Sequence, residues 1–205
     1  MFSHEVTRIF PLLREAAYQA NRILEVGAGS GRMIRLLQAE GASGCFCAVD
    51  ITQRLRESPS VSVLADARAL PFCSGSFDLV YSLGVVEHFP ETARAIAEQA
   101  RTTAKGGIVL MTTPHLGPQT VLRWLLYLIR SKFGGASFEI MEGRNLSLPY
   151  VRALFDTSGL IIEEMAGTGP VLYLSMPDVL NRILNRLMPE SRYGSFLYVL
   201  ARKPC

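Results

Sequence analysis

Apolar residues fall in short, nearly continuous runs, separated by segments with helical spacing. "RILEVG", "CFCAVD", "VSVLAD", "FDLVYSL" and "GIVLMTT" each read as a buried strand. Strands covered on both faces look like this, whereas half-exposed strands alternate apolar with polar positions. Between them, "GRMIRLLQAEG" reads as a helix. So does "PETARAIAEQARTTAKGG", which starts after Pro90 and is predicted to stop at Gly106–Gly107. This alternation predicts an α/β fold with a doubly wound, mostly parallel sheet.

Beyond His115 the pattern changes. An apolar segment, Gln119–Phe133, gives way to a loop rich in glycine and polar residues. "SLPYVRALFDTSG" then predicts a helix ending at Gly159, "LIIEEMAG" a strand, Met176–Leu187 a further helix, and "SFLYVLAR" a last strand. With no linker and no internal repeat, the chain reads as one domain over 1–205. It divides into an N-terminal helix (1–20), a core (22–115), an inserted helical lid (116–148) and a C-terminal helix and hairpin (149–205).

Composition narrows the class without naming a chemistry. Of 205 residues, 49% are hydrophobic and 19% charged, which is globular rather than disordered. The net charge of +3 is small and its basic excess lies after Thr102. A nucleic-acid binder would carry a denser basic stripe, so no nucleic-acid partner is expected. Cys45, Cys47, Cys73 and Cys205 form no C-x-x-C pair and no zinc-like spacing with the histidines. Cys45 and Cys47 are expected on one side of a strand as small hydrophobes. Glu5, Arg8 and Arg14 interrupt any apolar leader, and "VLRWLLYLI" is too short to cross a bilayer. A soluble cytoplasmic protein is expected.

The chemistry starts at "ILEVGAGSGR". Gly27, Gly29 and Gly31 follow an apolar run ending in a carboxylate. At the carboxyl end of a first strand, such glycines allow positive φ and let a ligand approach the backbone. A dinucleotide fingerprint requires G-x-G-x-x-G and a P-loop requires Lys-Ser/Thr after its last glycine. Arg32-Met33 satisfies neither, which disfavours a nicotinamide-dependent oxidoreductase and an NTPase. Glu25 would repel a pyrophosphate yet suits a cationic amino-acid group. Asp50 is placed to accept two ribose hydroxyls and Asp66, followed by Ala67, to meet an adenine amine. The simpler alternatives are an ion pair of Glu25 with Arg22 or Arg32, a helix cap at Asp50 and a turn at Asp66.

Taken together, "ILEVGAGSG", "AVD", "ADARALPFCSGSFDLVYSLGVVEHF" and "KGGIVLMTTPH" resemble class I S-adenosylmethionine-dependent methyltransferases, closest to the type 11 small-molecule group. The resemblance covers about Arg22 to His115. It implies a Rossmann-like seven-stranded sheet closed by an antiparallel C-terminal strand. It also implies that Glu25 and the backbone of Gly27, Ala28, Gly29 and Gly31 hold the methionine moiety. Asp50 would bind the ribose, Ile51 pack against the adenine, Asp66 and Ala67 read its edge, and Ser82 and Leu83 approach the sulfonium. Related quinone-biosynthesis O-methyltransferases hold a metal through a carboxylate at the position of Gly84, so no metal is expected here.

His88 and His115 follow the fourth and fifth strands, on the side where an acceptor would sit. Each is a candidate to take a proton from a hydroxyl. For His88 the alternative is capping or packing at the next helix start. Trp124, Tyr127 and Leu128, with Arg123, Arg130 and Lys132 beside them, are candidates for an apolar lid with a basic edge. The expected function is methyl transfer from S-adenosylmethionine to an O, N or C nucleophile of a small, lipophilic molecule, with peripheral membrane contact possible. The alternative is an inactive methyltransferase-like binding or scaffold protein.

Overall fold

The computed structural model describes residues 4–121, 125, 143–169 and 186–205. The strands are β1 (Arg22–Val26), β2 (Cys45–Asp50), β3 (Val61–Leu64), β4 (Phe77–Leu83), β5 (Thr103–Pro114), β6 (Ile161–Thr168) and β7 (Phe196–Arg202). The helices are α1 (His4–Gln19), α2 (Arg32–Ala39), α3 (Thr92–Thr102), α4 (Leu148–Ser158) and the short α5 (Glu190–Tyr193).

The strands form one seven-stranded sheet in the order β3-β2-β1-β4-β5-β7-β6. β1 pairs in parallel with both β2 and β4, while β7 runs antiparallel between β5 and β6. The expected mostly parallel sheet with an antiparallel C-terminal strand is therefore present. Because the chain winds from β1 outward to β3 and then returns to β4, the switch point lies at the carboxyl end of β1. In open sheets of this kind ligands bind there.

Alternate residues of the strands face two separate cores. Leu24, Val26, Val80, Val109 and Val199 pack with Ala95 and Ile96 of α3 and with Val151 and Phe155 of α4. Ile23, Phe46, Leu79, Tyr81 and Leu110 face the other way, against Ile9 and Leu13 of α1 and Ile34 and Leu37 of α2. Complete burial of each such side chain contributes on the order of 1.5–3 kcal/mol, which explains the near-continuous apolar strands.

Three expectations change. β3 is an edge strand, not one covered on both faces: Val61 and Leu64 are 66% and 61% exposed. Its apolar pattern therefore does not report burial. Cys45 is exposed and only Cys47 is half-buried, so Cys45 does not pack as a core hydrophobe. The helix expected to run to Gly106–Gly107 ends at Thr102, and β5 begins at Thr103. There two β-branched residues meet, and Thr103 Oγ1 donates to Gln99 O at 2.7 Å. Lys203, from the chain's far end, donates Nζ to Ala100 O (2.8 Å), Arg101 O (3.3 Å) and Thr103 O (2.7 Å). A cation on the last carbonyls opposes the negative end of the helix dipole.

Other boundaries follow their signals. Ser147 caps α4 by accepting the Tyr150 amide, and Gly159 ends that helix at φ 75°. Residues 176–185 of the expected Met176–Leu187 helix lie outside the described residues, as do Trp124, Tyr127 and Leu128 of the expected lid. Among the described residues, no helix is long and apolar enough to cross a membrane.

Replacing Lys203 with methionine strips the α3 terminus of its cation. The expected loss is about 1–2 kcal/mol, read as a melting temperature lowered by roughly 2–8 °C. An unchanged melting temperature would show that the three carbonyls are equally well satisfied by water.

Candidate active site

The turn after β1 is held by backbone donors that no regular element can satisfy. Gly27, Gly29 and Gly31 adopt φ of 74°, 53° and 74°. In that conformation the amides of Gly27 and Ala28 both donate to Val49 O, at 2.7 and 3.0 Å. The Gly29 amide donates to Asp50 Oδ2 at 2.7 Å. Three successive donors are thereby stitched to the end of β2. The glycines serve different ends. A Cβ on Gly27 would overlap Val85, whereas one on Gly29 would meet nothing within 4 Å and point into open space.

Beside Gly27 lies a cleft of about 280 Å³ at the carboxyl ends of β1, β2 and β4. Gly27, Asp50 and Ile51 line it from β1 and β2, Ala65 and Ala67 from the end of β3, and Gly84, Val85, His88 and Phe89 from the residues after β4. Ile51 is 63% exposed at the rim, an apolar side chain with no protein cover. The cleft therefore suits a flat, mostly apolar group with a few polar edges.

Asp50 does two jobs within the chain. Besides holding Gly29, its Oδ1 accepts the Thr52 amide at 2.7 Å, just before the 3₁₀ turn Gln53–Glu57. Each oxygen keeps a further lone pair, so the carboxylate can still accept from a ligand at the cleft wall. Glu25 lies behind the glycine turn, on the α2 side of β1, and is only 5% exposed. Its Oε2 and the hydroxyl of the facing Tyr81 complete no hydrogen bond within the described residues. Burial raises the Glu25 pKa to about 8, and the Asp50 charge adds to this, while the Tyr81 hydroxyl, the Ile34 amide and Arg35 offset it only in part. Glu25 forms no ion pair with Arg22, which instead binds Asp78 at 3.2 Å.

The other expected residues are distributed unevenly. Ala67 lines the cleft, but the Asp66 carboxylate turns to Arg68, at 2.7 Å from Nη2 and 2.8 Å from the Arg68 amide. Arg68 accordingly holds the Asp66 pKa below the usual carboxylate range. Ser82 is fully buried and donates to Gln99 Oε1 at 3.0 Å, and Leu83 packs into the α1/α2 core. Their successors, Gly84 and Val85, take the cleft wall instead. Gly84 sits at φ 68°, the one signal in the sequence that could have marked this turn.

The two histidines part company. His88 ends the 3₁₀ turn Val86–His88, is exposed and lines the cleft. His115 is 5% exposed, with Nδ1 2.9 Å from Gly194 O and 3.0 Å from Gln119 Nε2. Burial lowers its pKa. It joins the end of β5 to the start of β7 and does not reach the cleft, so its candidacy as a proton acceptor there is corrected. Among the described residues, no group of three or more His, Cys, Asp or Glu side chains could hold a metal.

This sheet order, with a glycine turn beside an acidic second strand end, is similar to the fold of solved methyltransferase structures. A family model described as "Methyltransferase domain" matches residues 24–111, the span from β1 into β5. The chain is 32% identical over 111 residues to the chloroplastic tocopherol O-methyltransferase of Arabidopsis thaliana, covering 48% of this chain and 32% of that protein. It is 26% identical over 116 residues to Homo sapiens "Probable tRNA methyltransferase 9B", covering 54% of this chain and 26% of that one. The chain thus spans well under two thirds of these relatives. Its fold matches a methyltransferase structure solved as a complex with the Haloferax volcanii Trm112 methyltransferase activator, with TM-score 0.70 and 16% identity over 98% of this chain and 92% of that one. A relative named for tRNA runs against the expectation of no nucleic-acid partner.

The residues present fit S-adenosylmethionine. Gly29 leaves room at the backbone, Asp50 offers acceptors at the cleft wall, and a buried carboxyl with an unfilled acceptor lies under the turn.

A buried acid whose folded pKa is raised costs stability once the unfolded chain ionises. Wild type should lose stability as pH rises from about 4.5 to about 8 through Glu25, and no more above that. Glu25→Gln removes the titration. The melting-temperature difference, variant minus wild type, should therefore grow between pH 5 and pH 8.5 in thermal melts. A difference independent of pH would contradict the burial of an acid at this position.

Proposed function

We propose that this chain transfers the methyl group of S-adenosylmethionine to an O, N or C nucleophile of a small, lipophilic acceptor. The cleft between Asp50–Ile51 and His88–Phe89, with the Gly29 amide pinned beside it, carries this reading. When bound, the sulfonium supplies an activated methyl carbon, so the chemistry needs in-line approach and little acid–base help.

What the protein contributes is placement. The glycine turn would receive the amino-acid end and Asp50 the ribose hydroxyls. Ile51, Ala65 and Ala67 would cover the adenine. Gly84 and Val85 lie after β4, toward the acceptor, and His88 stands at the mouth with solvent access. From there it can receive a proton released by an acceptor hydroxyl. The apolar acceptor is supported by the residues that follow β5. Leu116, Val121 and Leu125 are 48%, 66% and 50% exposed, and Tyr150 at the start of α4 is 43% exposed. The Arabidopsis relative is named for O-methylation of tocopherol.

A second reading, an RNA acceptor, is favoured by the several relatives named for tRNA. The inactive-scaffold alternative is separated from both by turnover: release of S-adenosylhomocysteine with phenolic or tRNA acceptors marks an enzyme.

Asp50→Ala frees the Gly29 amide and removes the ribose acceptors together. Its affinity for S-adenosylhomocysteine in calorimetry should fall at least about tenfold, the weight of one or two charge-assisted hydrogen bonds. Wild-type affinity in a folded Asp50→Ala variant would sink the site assignment.

A further inference from the structure

Phe89 forms part of the cleft wall and packs half-buried against the α3/α4 core, in the connection between the Val86–His88 turn and α3. Two arginines from distant parts of the chain hold it. Arg68, in the loop after β3, places its guanidinium carbon 5.0 Å from the centre of the Phe89 ring. The same guanidinium binds Asp66 Oδ2 through Nη2 at 2.7 Å and Glu91 Oε2 through Nη1 at 2.6 Å. One planar cation thus ties the loop carrying Ala67 to the residues on either side of Pro90, with the aromatic ring beneath it. Arg provides this fork and stacking face where Lys would provide a point charge.

The second arginine comes from the other side. Arg144 follows the acceptor-side segment, and its Nη2 faces Phe89 O, Pro90 O at 3.2 Å and Thr92 Oγ1 at 2.7 Å. Its own amide donates to Glu87 O at 3.2 Å. Close passage is possible because Gly143 has no side chain: a Cβ there would overlap Glu87 and crowd the His88 ring.

We infer that Arg68 and Arg144 are positioning residues that clamp the Phe89 connection from its two sides and so fix the adenine-end wall of the cofactor cleft. This rests on the methyltransferase reading and extends it, because neither arginine touches the cleft itself. Without Arg68 the ring loses its stacked cation and the Ala67 loop its tie to Glu91. Without Arg144 the carbonyls of Phe89 and Pro90 lose their shared donor. In either case Phe89 no longer has one position, and the adenosine part of a ligand meets a looser wall.

The test measures S-adenosylhomocysteine affinity by calorimetry and adenosine affinity by competition against it, with melting temperatures alongside. Arg68→Met and Arg144→Met should each weaken both ligands by a similar factor, about fivefold. Arg68→Lys, a milder change that keeps the charge and guards against misfolding, should lie between wild type and Arg68→Met. Arg22→Met breaks an exposed ion pair with Asp78 at the opposite end of the sheet and should leave both affinities unchanged. Unchanged affinities in folded Arg68 and Arg144 variants overturn the inference. So does a loss seen for S-adenosylhomocysteine but not for adenosine, which would place the effect away from the adenine end. If wild-type protein binds neither ligand, the cofactor reading itself falls, and this inference falls with it.

Discussion

The bond from the Gly29 amide to the Asp50 carboxylate is the constraint on which the site depends. A chain leaving β1 at positive φ turns its amides away from any ladder, and buried donors left unpaired are costly. Only the neighbouring parallel strand can meet them. Val49 O takes two and Asp50 Oδ2 takes the third. The adjacency of β1 and β2 is thus a requirement of the turn as much as of the sheet. Since the accepting group at Gly29 is a carboxylate, the bond is charge-assisted and the loop is fixed before any ligand arrives. Its remaining lone pairs then project from a rigid strand end, which is how a site gains precision.

Around that point two carboxyl groups have been given opposite settings. Asp50 sits at the cleft wall, half-covered and bonded to two amides. Glu25, one strand over and on the other side of the turn, is buried with an acceptor unfilled and its pKa raised to about 8. Placing two full negative charges this close would add repulsion to desolvation, so the buried partner tends to hold its proton. A cationic group at the turn would favour the charged form of Glu25, adding to the partial compensation from Arg35. The stability lost by burying Glu25 is of the kind that functional sites carry and cores avoid.

The backbone of this fold was legible because its signals are local. Strand boundaries at "CFCAVD" and "FDLVYSL", the Ser147 cap and the Gly159 stop all depend on residues within a few positions of one another. The failures share a physical cause. β3 reads as buried from its apolar residues, yet only the strand order shows that it lies at an edge. The α3 end at Thr102 meets a cation from Lys203, about a hundred residues away in sequence. At the site, the glycine turn and Asp50 were readable from residue type and spacing. The turn at Asp66, closed by the Arg68 amide, was among the alternatives read from spacing, whereas the diversion of Ser82 to Gln99 and of His115 to Gly194 was not, since those partners are set by tertiary packing. Phe89 was missed for the same reason: an aromatic residue beside a proline has no spacing that marks it as a cleft wall.

The donor and acceptor sides of the cleft obey different rules, which follows from the chemistry. Displacement at a sulfonium methyl asks the protein for alignment and exclusion of water more than for a strong base. Alignment of the donor can be built from backbone amides and one carboxylate, groups whose positions a sheet fixes by itself. Alignment of an acceptor has no such fixed vocabulary, because its shape and nucleophile differ from one substrate to another. The strand pattern therefore does not determine which residues face it. Within this division Phe89 occupies the joint. Arg68 anchors it to the adenine loop and Arg144 to the segment that returns from the acceptor side.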